Sequence, residues 1–131
     1  MKKILSILAG AAVLVLGTAT LPAGSAFAHG APTANHGGIV QAVGETWLEL
    51  VVKGDTVELY LQDDGDDMPS AGTSGKLTVV KGAARSEFAL EPAGGNKLEA
   101  KAPGAVRGSK VLASVTLADK KTKVSTAFDI K

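Results

Sequence analysis

At 131 residues, with 14 Lys and Arg against 13 Asp and Glu and a formal net charge of +1, the chain has room for one domain with one modest core. It contains no cysteine, which excludes disulfide staples, thiolate metal centres and cysteine nucleophiles. A nucleic-acid reader needs clustered bases with aromatics among them, and Lys120-Lys121 beside Lys123 has none, so no nucleic-acid partner is expected.

The first stretch reads as an address. Met1-Lys2-Lys3 leads into an apolar run from Ile4 to Leu16, and small residues follow up to Ala26-Phe27-Ala28, the order of a cleavable secretory signal. The apolar run falls short of the roughly 20 residues that a membrane helix needs, so no stable membrane anchor is expected after cleavage. No cysteine stands behind it for lipid attachment. The expected division is a signal peptide over 1–28, a flexible arm over 29–38 and a β-sandwich domain over 39–131. Cleavage after Ala28 removes Lys2 and Lys3, so twelve bases then face thirteen acids and the net charge becomes −1. Those charges are segregated, −7 over residues 45–67 and +6 over residues 68–131, which predicts attraction between the two halves.

Ala31 to Asn35 has no apolar period, and Gly37-Gly38 follows it, as in a mobile arm before a first strand. Ile39 to Val43 begins the body, and Gly44 separates it from Thr46 to Lys53. Gly54-Asp55 then sits before Thr56 to Gln62, where Val57, Leu59 and Leu61 alternate with polar residues, the pattern of an antiparallel hairpin. Asp63 to Gly75 is dense in turn formers and reads as the longest loop. Lys76 to Lys81 and Ala84 to Glu91 are the next strands, the second with Phe88 and Leu90 inward. Lys97, Glu99 and Lys101 alternate with Leu98 and Ala100, and those outward charges suggest an edge strand. Two further strands carry Val111, Ala113, Val115 and Leu117, then Val124, Thr126, Phe128 and Ile130.

No helical period is sustained after the signal. The fold predicted is all-β, an immunoglobulin-like or Greek-key sandwich of about seven to eight antiparallel strands. Its expected core includes Trp47, Leu50, Val52, Leu59, Leu77, Val79, Phe88, Leu98, Val115 and Phe128, each contributing ~1.5–3 kcal/mol when fully buried. With so few aromatics, a large aromatic-lined pocket is not expected.

Both histidines, His29 and His36, lie in the arm. Cleavage after Ala28 would leave His29 at the N-terminus, where its α-amine and imidazole form one chelate, and His36 could add a third nitrogen. Such donors suit Cu(II) first, with Ni(II) or Zn(II) as alternatives. Asp66 and Asp67 in the acidic turn could add an oxygen, and Met68 a thioether. The acidic run Asp63-Asp64-Gly65-Asp66-Asp67 does not fit the EF-hand spacing. The serines of the body have no histidine within it to activate them, and no phosphate-loop pattern occurs, so an enzyme is not expected.

The segments NHGGIV (Asn35 to Val40), WLELVVKGDTVELYLQDDGD (Trp47 to Asp66), SGKLTVVKG (Ser74 to Gly82) and LEPAGGNKLEA (Leu90 to Ala100) resemble a small periplasmic β domain. That domain occurs alone or fused to adaptor subunits of heavy-metal efflux pumps of the RND type. A looser likeness is to copper-resistance periplasmic β-sandwich proteins, which use an N-terminal His with later ligands; here no His follows His36. The resemblance implies a periplasmic location and, as partner, a metal-efflux adaptor or another envelope protein. The function expected is binding of a divalent transition metal, copper favoured, in metal tolerance or delivery to an efflux system. The alternative is a metal-free envelope interaction module that docks a partner through a sheet edge or the acidic loop.

Overall fold

A computed structural model describes residues 31–131; the expected signal peptide and His29 lie outside the described residues. The described chain is all-β, with strands β1 (Ile39–Val43), β2 (Thr46–Lys53), β3 (Thr56–Asp63), β4 (Asp66–Asp67), β5 (Ser74–Lys81), β6 (Ala84–Pro92), β7 (Lys97–Lys101), β8 (Lys110–Thr116) and β9 (Lys123–Asp129). Every pairing is antiparallel, in the order β1-β2-β3-β7-β6-β5-β8-β9, with the two-residue β4 beside β3. Strands β5, β6 and β7 are joined as consecutive hairpins, and β8 returns to lie on the far side of β5, which is a Greek key.

The two halves of the sandwich are continuous. The body of β6 pairs with β5, but its last residues, Glu91 and Pro92, pair with Glu99 and Leu98 of β7. At the other side β1 lies against β9, so the sheet is nearly closed into a barrel. Turn chemistry fixes the hairpins. Gly44, Gly54 and Gly82 each hold positive φ at the first turn position, while Asp64 and Gly65 hold φ of 49° and 95° in succession, as a type I′ turn requires. The expected long loop after β3 is therefore a tight hairpin into β4 plus a short connection. Ser70 and Thr73 anchor that connection, the Ser70 amide and hydroxyl both donating to Gly95 O.

Period-two alternation builds the core. Leu48 and Leu50 of β2, Val57, Leu59 and Leu61 of β3, Leu77, Leu98, Val111, Val115 and Phe128 are fully buried together, with Val52 and Phe88 packed at the margin. Trp47 is buried as expected, on the face of β2 opposite its neighbour Leu48. Strand β7 differs from the expectation, because it is central, between β3 and β6. Its outward Lys97 and Glu99 mark the solvent face of a paired strand and not an edge. Lys97 reaches Glu58 of β3, which carries the attraction expected between the acidic and basic halves.

Candidate functional site

Glu49 is the one acid in β2, and alternation directs it to the outer face, opposite Val40 of β1 and Tyr60 of β3. An acid there should meet water. Instead it is buried, and it holds the end of the arm. Its Oε2 accepts the backbone N–H of His36 at 2.8 Å and of Gly38 at 2.9 Å. Its Oε1 accepts the backbone N–H of Asn35 at 3.0 Å and lies 2.9 Å from His36 Nδ1. Two carboxylate oxygens offer about four lone-pair positions in all, so this carboxylate is saturated. The arm expected to be mobile is fastened at residues 35–38.

The local sequence explains the wrap. Gly37 sits at φ 73°, which turns the chain so that successive amides converge on one anion. Gly38 lies directly on β2, where an added Cβ would stand 2.2 Å from Leu50 O and 2.8 Å from Val51 Cγ2. The His36 ring stacks flat on Tyr60, with centroids 3.6 Å apart and planes 8° from parallel. Burial alone would raise the Glu49 carboxyl, but the His36 ring and the amides of Gly38, His36 and Asn35 outweigh it and hold the group below its ordinary value.

The consequence for His36 is chemical. A carboxylate only accepts hydrogen bonds, so the ring nitrogen facing it, Nδ1, carries the proton. In the neutral ring the lone pair is then on Nε2. The side chain is 38% exposed, so the ring is held in place without being sealed off. A carboxylate behind Nδ1 is the arrangement that orients metal-ligating histidines.

The other predicted ligands are not brought to this ring. Asp66 and Asp67 form β4, paired with Asp63 and Gln62, and Asp67 Oδ1 accepts from Asn96 Nδ2 at 3.3 Å. Met68 packs its side chain against the core, and its amide donates to Leu61 O at 3.1 Å. Among the described residues no three His, Cys, Asp or Glu side chains come together as a metal group.

Beside the clasp is a second buried acid. Glu58 of β3 takes Lys53 Nζ and Lys97 Nζ at 3.0 Å each, and the Tyr60 hydroxyl donates to it at 3.3 Å. The two lysines hold the Glu58 carboxyl below its ordinary value, and it raises both of theirs in return. Burial, with the Glu58 charge, pushes the Tyr60 phenol up. Tyr60 thus touches both clusters, its ring on His36 and its hydroxyl on Glu58.

Sequence reasoning passed over Glu49 and Tyr60. The available signal was a lone acid alternating with leucines in TWLELVVK, directly opposite the only tyrosine of the chain once the hairpin is paired. Comparison with known proteins finds no family model, no curated protein and no solved structure that matches the chain.

Proposed function

We propose that this protein is an exported, periplasmic binder of a divalent transition metal, copper favoured and nickel or zinc as alternatives, acting in metal tolerance or delivery to an efflux system. The observation that supports it is the Glu49–His36 pair: a saturated carboxylate sets the ring's tautomer and leaves Nε2 as a preset donor on a half-exposed ring. His29, seven residues upstream on the same arm, supplies the complementary donors when it is the N-terminal residue, an amine and an imidazole in one chelate. The likeness to efflux-linked periplasmic β domains points in the same direction. Asp66, Asp67 and Met68 play no part in this site as proposed.

Titration of the exported protein with Cu(II) and with Ni(II) tests the proposal. His36→Ala and His29→Ala should each abolish tight binding. Glu49→Gln, which keeps every ligand but removes the charge behind the ring, should weaken binding by about 10–100-fold. Binding unchanged in all three variants would remove the proposal and leave the metal-free interaction module in its place.

A further inference from the structure

We propose that the free edge of β6 pairs with the same edge of a second copy of this chain, as an antiparallel two-fold contact centred on Ser86. The inference is independent of the metal proposal.

The edge exists because β6 serves two neighbours unequally. From Ala84 to Leu90 it pairs with β5 alone, and only Glu91 and Pro92 reach β7. Beyond that point β6 and β7 part, and Phe88, Ala89, Glu99 and Lys101 line the open cleft between them. Residues 84–87 and Ala89 are exposed. Lys81 and Ala84 close the two-residue β5–β6 turn and so bond each other; Ala84, Ser86, Phe88 and Leu90 therefore direct their backbone groups to β5. Arg85, Glu87 and Ala89 direct theirs outward. Glu91, next in that series, is the residue that finds a partner in β7.

An exposed edge invites pairing with any strand unless charge restricts it. Here the charge favours one self-pairing and opposes two others. An antiparallel copy centred on Glu87 sets Glu87 against Glu87, and a parallel copy in register sets Arg85 beside Arg85; like charges directly opposite are unfavourable. Centred on Ser86, Arg85 of each chain stands opposite Glu87 of the other. Both residues turn their backbone N–H and C=O outward, so each such pair is also a hydrogen-bonded pair. Ala84 then meets Phe88, small against large. Within its own chain Glu87 has Lys76 Nζ at 3.4 Å from Oε1, which leaves Oε2 for the second copy's arginine.

With five residues per strand, the contact falls below the roughly 1,000 Å² of a stable complex, so the dimer should form reversibly and at high protein concentration.

Because the chain has no cysteine, Ser86→Cys introduces a single thiol placed on the two-fold axis. A non-hydrogen-bonded antiparallel pair sets its Cα atoms about 4.5 Å apart, inside the span of about 4.4–6.8 Å that a disulfide bridges. Ala84→Cys is the control, since its copy would lie roughly 14 Å away at about 3.4 Å per residue. Under mild oxidation of the purified protein, Ser86→Cys should cross-link to a dimer much faster than Ala84→Cys. Adding Glu87→Arg should slow that cross-linking roughly tenfold by facing arginine with arginine, and the double exchange Arg85→Glu with Glu87→Arg should restore it. Equal cross-linking of the two cysteine variants, absence of cross-linking, or indifference to Glu87→Arg would overturn the proposal.

Discussion

Glu49 and Glu58 sit on adjacent strands of one sheet face, both buried and both held below the ordinary carboxyl value of 4.5. They reach that state by different means. Glu58 is surrounded by ammonium groups on its own sheet, Lys53 and Lys97, whose side chains are 65% and 28% exposed. Glu49 is surrounded by backbone amides and one ring from a segment outside the sheet. The first arrangement neutralises a charge. The second converts a charge into a fastening, because amides cannot satisfy the carboxylate unless the arm takes one path. A ring carried on that path, His36, is then placed between Glu49 and the face of Tyr60.

The contrast can be broken most strongly at Glu49. Glu49→Gln should cost about 1.5–3 kcal/mol in urea unfolding, the range for hydrogen bonds to a charged group. Its acid limb should change as well. A carboxyl whose value is lowered by folding contributes stability that is complete above its unfolded value and is lost as pH falls through the folded one. The wild type should therefore weaken in acid below about pH 4.5, and Glu49→Gln should weaken less steeply over that window. Gly38→Ala attacks the same fastening from the arm side. Its Cβ would collide with Leu50 O, a backbone atom that cannot move aside, and unfolding should show a loss of about 1–3 kcal/mol, as for other forced insertions.

The smallest effect is expected at Glu58. Glu58→Gln should cost about 1 kcal/mol, since Lys53 is largely solvated and its attraction to Glu58 is screened. Its effect should also shrink as salt is raised from low ionic strength to about 1 M, where the screening length falls to roughly 3 Å. The loss at Glu49 should persist in salt, because its donors carry no net charge while the ring is neutral.

Most strands were legible from alternation. Val57, Leu59 and Leu61 against Glu58, Tyr60 and Gln62 declare a half-buried strand, and Gly54-Asp55 declares its turn. What alternation states is which side a residue faces, and it is silent on what covers that side. That is why the charges of β7 suggest an edge when they belong to a strand lying between β3 and β6. The site was half legible. NHGG was visible as the place where chemistry would lie, but its partner was not, because three of the four donors on Glu49 are backbone amides that every residue but proline possesses. Only the crowding at Gly38 and the turn at Gly37 tell the amides apart from any others, and both are properties of a path already folded.

One carboxylate fixes the end of the arm, and amide hydrogen exchange followed by NMR reads that fastening residue by residue. In the wild type the amides of Asn35, His36 and Gly38 should be protected, and in Glu49→Gln they should exchange at the rate of an unstructured segment while the amides of β3 and β8 stay protected. Exchange of those three amides at the free rate in the wild type, or protection that survives Glu49→Gln, would show that Glu49 does not hold the arm.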